Sequence, residues 1–302
     1  MKIIQKFIDH LDNIQRKSQF LGFMHAVIKK YNDDRMGPQA ALLTYYGFLS
    51  LFPLLLVLTT LAGILSADYP DVHDKVIQGM TSYFPVLGGQ LSDHIHGLHK
   101  TGFALIAGLL LTLYGARGVA DAFRNGVNHI WGVPYQKRDG FPKSLGKNFA
   151  VIFLGGFGLL TASFTASIAA SAGPGLGFKI LSLGVNLFVL FWSFIIILNI
   201  SLPKHVTVAE VRSGAATAAL GLVSLQIVGR ILLAKELKNL DALYSNFALT
   251  LGLLFWLFLQ SQVIYYAVEI AYIRAKKAWP RSLTGNNPTH ADKEALDAGA
   301  QI

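Results

Sequence analysis

The sequence predicts an all-α integral membrane protein: six transmembrane helices, an N-terminal amphipathic helical segment and a long external loop between spans 1 and 2. Three observations carry that prediction. The 302 residues are 53% hydrophobic and only 14% charged, with a mean hydropathy of +0.46, whereas a soluble domain carries about 25% charge. A bilayer core about 30 Å thick asks for roughly 20 uncharged residues per helix, and six long stretches lack Asp, Glu, Lys and Arg: 36–67, 101–116, 148–178, 180–203, 213–229 and 242–268. When the connecting segments are assigned to alternating sides, 20 of the 26 basic residues fall on one face and 6 on the other. Basic residues in short loops stay cytoplasmic, so both termini are assigned to the cytoplasm. No remaining stretch is long enough for a separate soluble domain.

Residues 1–35 place Ile3, Ile4, Phe7, Ile8, Leu11 and Ile14, then Phe20, Leu21, Phe23, Met24, Val27, Ile28 and Tyr31, at helical spacing with Lys and Arg between them. That pattern suits one or two amphipathic helices, either lying in the cytoplasmic interface or packed beneath the bundle. The segment is too charged to hold the apolar run of a cleavable signal peptide.

Residues 36–275 form the transmembrane domain. The first span, about 39–66, carries Pro53 near its middle. A proline there removes one backbone hydrogen bond and bends the helix, and Thr44, Ser50, Thr59 and Thr60 are at hand for the freed carbonyl. The external loop 68–100 is long for a structureless connection. Val72, Val76, Ile77 and Met80, then Leu87, Leu91, Ile95 and Leu98, recur at helical spacing and predict short amphipathic helices in it.

The second span is assigned to about 102–128 and the third to 148–172. The third is rich in small residues ("GGFGLLTASFTASIAASAGPGLG"), which allow close helix approach within the bundle or across a homo-oligomer interface. Its "SAGPGLG" end reads as a tight turn into the fourth span, about 179–201. The fifth, about 209–233, repeats the small-residue theme, and the sixth covers about 243–272. Residues 276–302 are polar and read as a disordered cytoplasmic tail.

The second span raises the question of function. Its uncharged stretch of 16 residues rises only about 24 Å, so the helix must continue past Arg117 to cross. Arg117, Asp121, Arg124 and Asn128 follow at spacings of four, three and four and share one face. A charge at membrane depth costs about 2.5 kcal/mol or more unless paired or wetted, and such residues are functional candidates. Arg117 can pair with Asp121, or with Glu269 near the cytoplasmic end of the sixth span. The bland alternative is that Arg117 and Glu269 snorkel to the headgroups as anchors.

Thr44, Tyr45, Tyr46, Asn186, Asn199, Gln226, Gln260 and Gln262 add polarity inside the spans, as helix-to-helix hydrogen bonds or as the lining of a crevice. Tyr45 and Tyr46 also suit interfacial anchors.

The formal charge of +9 is mainly a topology signal. It also suits anionic headgroups of membrane lipids at the cytoplasmic face, and nucleic acid is not an expected partner. The absence of cysteine rules out disulfides and thiolate metal sites. No Ser-His-Asp arrangement, phosphate-binding loop or Walker motif occurs, so neither an enzyme nor an ATPase is expected, and no cofactor.

Three ordered blocks, "AALLTYYGFLSLFPLLLVL", "ARGVADAFRNGVNHIWGV" and "YSNFALTLGLLFWLFLQSQVIYYAVEIAYI", resemble the BrkB/YihY family of bacterial inner-membrane proteins, the likeness covering roughly residues 20–277. The resemblance implies a six-helix inner-membrane protein of a family once labelled ribonuclease BN, a label since regarded as a misassignment. It also implies links to serum resistance and, in one branch, to export of lipopolysaccharide precursors. The family's Gly-Ala-Glu near the end of the last helix stands here as Ala267, Val268 and Glu269. The acid is kept, and the expectation of tight packing there is weakened.

The old nuclease label directs attention to "HIHGLH", in which His94, His96 and His99 approximate the His-x-His-x-Asp-His motif of metallo-β-lactamase-type nucleases. Leu98 stands at the aspartate position. Without that carboxylate a hydrolytic metal site is not expected, and the three are weak metal candidates best read as solvated helix residues. Two functional expectations follow. One is a transporter or flippase-like exporter of amphipathic, lipid-linked molecules of the cell envelope. The other is a non-transporting scaffold for an envelope-protein partner, its polar stripe being only glue between helices.

Overall fold

The computed structural model describes residues 12–65, 102–171, 176–236, 242–283 and 288–299. Every regular element among them is helical: α1 (Gln19–Asp33), α2 (Met36–Leu65), α3 (Gly102–Ile130), α4 (Lys143–Ser171), α5 (Leu176–Ser201), α6 (Val208–Glu236), α7 (Ala242–Lys276) and α8 (His290–Gly299), with a 3₁₀ turn at Tyr135–Lys137. A further helical stretch at 12–17 precedes α1. Ser18 separates the two and caps α1, its Oγ accepting from the Leu21 N–H. The loop 68–100, and His94, His96 and His99 with it, lies outside the described residues, as does the turn at 172–175.

Windows long and apolar enough to cross a membrane occupy Ile180–Ser201, Val208–Gly229 and Thr250–Lys276, in α5, α6 and α7. The protein is therefore a membrane protein built from helices. α2, α3 and α4 are of matching length, 29 or 30 residues each. α3 continues well beyond Arg117, as the length argument requires, and α2 runs through Pro53 as one uninterrupted helix. The Gly132 cap that ends α3 has a φ of +65°. There the Val133 N–H donates to Asn128 O and the Gly132 N–H to His129 O, the paired bonds of a Schellman turn.

The six long helices close a ring: α2 packs on α3, α3 on α4, α4 on α5, α5 on α6, α6 on α7, and α7 back on α2. Glycines set the closest approaches. A Cβ on Gly118 would lie 2.3 Å from the Tyr46 ring of α2, and one on Gly126 would lie 2.5 Å from the Tyr265 ring of α7. On α6, Gly214, Gly221 and Gly229 recur at seven and eight residues on one face, and Cβ atoms there would lie 2.7, 2.5 and 2.4 Å from Ala267, Val263 and Trp256. The α7 end is thus tightly packed at Ala267, because the missing glycine is supplied by the opposite helix.

A core cluster including Met36, Ala40, Phe123, Val127, Ile130, Leu198, Tyr265 and Val268 plugs the ring at the end where α3 and α7 finish. Against this end lie both terminal segments. α1 packs on α7, burying Ala26, Val27, Lys30 and Tyr31 and leaving Phe20 70% exposed with Ile28 on its other face.

The tail corrects an expectation, since its described part is folded rather than disordered. Lys29 Nζ donates to Ser282 O at 2.7 Å and to Asp292 Oδ1 at 3.0 Å. Arg281 Nη1 donates to Asp33 Oδ2 at 3.0 Å, and Gln15 Nε2 to Arg281 O at 2.6 Å. The polar composition that reads as disorder is a set of partners for the equally polar N-terminal segment.

Candidate substrate cavity and its polar rim

Above the core plug, in the middle of the ring, lies a cavity of about 380 Å³. Small-molecule sites span about 300–1,000 Å³. All six long helices contribute to its wall, for example Leu43, Phe123, Val151, Ile197, Leu222 and Ile264. The lining is almost wholly apolar. Its polar atoms come from a few side chains, among them Thr44, Ser50, Ser193, Gln260 and Ser261. Thr44 Oγ1 donates to Ala40 O at 2.7 Å and lies 3.2 Å from Ser261 Oγ, tying α2 to α7. Among the described residues Gln260 Nε2 has no hydrogen-bond partner.

The polar stripe of α3 divides into two parts. Arg124 and Asn128 are buried. Arg124 Nη1 donates to Ser144 O, Ser144 Oγ and Asn148 Oδ1 at 3.0, 3.1 and 2.7 Å, while Nη2 stands 3.6 Å from Asp139 Oδ2. Asn148 Nδ2 in turn donates to Asp121 Oδ1. Asn128 Nδ2 donates to Arg124 O at 2.7 Å and to Ser201 O at 3.1 Å, at the end of α5. These two side chains fasten α3 to its neighbours. In the loop that follows, Lys147 at 2.6 Å holds the Asp139 carboxyl below the usual carboxylate range; burial opposes this, and the Arg124 charge adds to it.

Arg117 and Asp121 form the other part. Their side chains are 60% and 39% exposed and stand 3.6 Å apart as an i,i+4 pair. Arg117 does not reach Glu269. Glu269 is fully buried, and the cation beside it is Lys30 of α1, 3.2 Å from its Oε2. That contact is an ion pair without hydrogen-bond geometry, since neither oxygen of Glu269 accepts a bond.

Lys30 Nζ also donates to Asp34 Oδ2 and to Ile130 O, and sits 4.2 Å from the centre of the Tyr272 ring. Burial would lower the Lys30 pKa, but the carboxylates of Glu269 and Asp34 outweigh it and raise it above the ordinary lysine value. Tyr31, beside it, stacks on Tyr266 with ring centres 3.9 Å apart.

Lys30 is the site residue that sequence reasoning missed, having counted it only towards topology. Its signal lay in the spacing: it falls on the apolar face with Val27 and Tyr31. Tyr265, whose hydroxyl donates to Ala122 O at 3.1 Å, was missed in the same way. Tyr46 is half-buried against Gly118, and Tyr45 is exposed beside it with ring centres 5.4 Å apart. Among the described residues no group of three His, Cys, Asp or Glu is placed to hold a metal ion.

Comparison with known proteins places this architecture. The chain is 24% identical over 285 residues to the putative ribonuclease-like protein YfkH of Bacillus subtilis (strain 168), covering 89% of this chain and 100% of that protein. It is 28% identical over 187 residues to the inner membrane protein YhjD of Escherichia coli (strain K12), covering 58% of this chain and 53% of that protein. It is 25% identical over 289 residues to a UPF0761 membrane protein of Psychrobacter sp. (strain PRwf-1), covering 90% and 50%. The chain thus spans about half the length of the latter two. No solved structure matches it. Residues 27–291, from the middle of α1 into α8, match the family described as Virulence factor BrkB, and the chain belongs to that family of membrane proteins.

Proposed function

We propose that this protein is a six-span exporter of amphipathic, lipid-linked molecules in the bacterial inner membrane. The observation that carries the reading is the cavity lined by all six long helices and apolar on nearly every side. An apolar chamber inside a membrane protein suits an acyl or polyprenyl chain, and the few hydroxyls and the Gln260 amide can orient a polar group within it. Arg117 is the stripe residue placed to meet a headgroup, while Asp121 is shared between it and Asn148. Arg124, Asn128 and Glu269 are occupied in holding helices together.

The inner-membrane name of the Escherichia coli relative supports the location. The meeting of both terminal segments at one end of the ring supports an even number of crossings, and the excess of basic residues supports a cytoplasmic position for that end. Labelling of Lys293→Cys by an impermeant maleimide in intact cells would contradict this orientation.

The reading is tested by reconstituting the protein into liposomes with a fluorescent phospholipid. Transbilayer movement is expected, and Arg117→Ala should slow it without unfolding the protein. Inertness with every phospholipid and lipid-linked sugar offered would refute export. A second reading, a scaffold for envelope proteins, is favoured by Arg124 and Asn128, which tie α3 to the start of α4 and to the end of α5. That reading predicts inertness in the same assay. The ribonuclease-like name of the Bacillus relative belongs to that protein, and no described residue here supports a nuclease.

A further inference from the structure

The cavity's opening can be located from the glycines. At Gly115, Gly118, Gly126, Gly158, Gly214, Gly221 and Gly229 a Cβ would collide with a neighbouring helix at 2.3–2.8 Å, so those glycines mark helices in contact. Gly47 of α2 and Gly155 and Gly156 of α4 line the cavity, and a Cβ on any of the three would meet nothing within 4 Å. α2 is nevertheless closed against α3, where Gly115 meets Ser50 and Gly118 meets Tyr46, whereas Gly155 and Gly156 have no such neighbours on α3.

Among the described residues, the side-chain hydrogen bonds between α3 and α4 are those of Arg124 to Ser144 and Asn148 and of Asn148 to Asp121. Asn148 is the last residue of α4 in that network, and Gly155 and Gly156 come two turns later, facing open space. α4 also meets α3 over far less of its length than it meets α5. At the foot of the gap between α3 and α4, one turn above Asp121, stands Arg117, its side chain 60% exposed and its carboxylate partner at 3.6 Å. The outward faces on both sides of the gap are apolar, with Leu110, Leu113 and Tyr114 exposed on α3 and Phe153 and Phe157 on α4.

We infer that the cavity opens sideways to the bilayer between α3 and α4, and that an anionic membrane phospholipid enters there, its acyl chain beside Gly155 and Gly156 and its phosphate at Arg117. The occupant follows from the surroundings. A gap walled by apolar faces at membrane depth meets acyl chains, and a guanidinium at its foot selects a phosphate through charge-assisted hydrogen bonds. Glycine at 155 and 156 keeps the passage wide, since a larger side chain would project into it.

This inference rests on the reading of the cavity as the place of an amphipathic substrate, but it is tested by binding rather than transport. The chain has no cysteine, so Gly156→Cys gives a single labelling site with room for a bimane group. Gly184→Cys, on the exposed face of α5, serves as the lipid-facing control. In nanodiscs containing phospholipid brominated on its acyl chains, bimane at 156 should be quenched. Phosphatidylglycerol should quench it more strongly than phosphatidylcholine, and Arg117→Gln should abolish that preference.

No quenching at 156 while 184 is quenched would overturn the lateral opening. Equal quenching by the two lipids, unchanged by Arg117→Gln, would overturn the role of Arg117. Quenching as expected in a protein that moves no lipid would leave the opening standing and sink export alone. Movement without quenching would do the opposite.

Discussion

Glu269 is fully buried, with the Lys30 ammonium 3.2 Å from its Oε2. Removing one partner of a buried ion pair costs about 3–5 kcal/mol, because the other is left uncompensated, whereas replacing both is often close to neutral. Lys30→Met should accordingly lower the thermal unfolding temperature sharply in detergent, and Lys30→Met with Glu269→Gln should recover most of the loss. A single variant as stable as the parent would show that the pair does not hold α1 to α7.

Asp292 gives a pH test of the tail. Burial opposes ionisation, but N–H donors from Ser282 and Thr289, with Lys29, hold its pKa down at about 2, below the ordinary 3.8. A lowered folded-state pKa stabilises above the unfolded value and loses that contribution as pH falls through the folded one, so roughly 2 kcal/mol of docking should vanish between about pH 4 and 2. Limited proteolysis of the tail against pH would show it, and Asp292→Asn should give the acid behaviour at neutral pH. At this scale the sequence was half legible. The spacing from Arg117 to Asn128 placed four polar residues on one helix face, but not which of them the start of α4 would occupy. Long-range partners such as Lys30 and Glu269, 239 positions apart in the chain, leave no local pattern.

At the scale of the helices, glycine has two uses, and substitution separates them. Gly126→Ala drives a methyl group into the Tyr265 ring at 2.5 Å, and overpacking of this kind costs about 1–3 kcal/mol. Gly155→Ala enters open space and should be neutral, or stabilising by up to about 1 kcal/mol through helix propensity. Equal destabilisation by both, measured by chemical unfolding in mixed micelles, would mean that α4 is packed where the structure shows a gap.

Long helices were readable in outline, because stretches without charge mark where long apolar helices run. Such stretches lie along α3 (Gly102–Ile130) and α6 (Val208–Glu236). What a glycine faces was not readable. The small residues of α4 and α6 look alike in sequence, yet Gly214, Gly221 and Gly229 of α6 all meet α7, whereas on α4 Gly158 meets Ser193 and Gly155 and Gly156 meet nothing. The tail was misread for a related reason, since polar composition cannot distinguish a solvated segment from one whose partners lie on another terminus.

For the whole molecule, the central claim is that the ring of six helices surrounds a chamber that carries the apolar part of a substrate. Which helix neighbours which is a property of long-range packing, and the closure of α7 onto α2 that makes the ring could not be deduced from hydropathy. The chamber depends on that closure, so neither its position nor its lining was visible beforehand. The direct test is to fill it. Gly156→Trp projects an indole into the cavity from a site with no neighbour within 4 Å, and should leave thermal unfolding near that of the parent. Lipid movement in proteoliposomes, measured for this variant beside the parent, should fall to the protein-free rate. Undiminished movement with the indole in place would show that the substrate does not pass through the chamber.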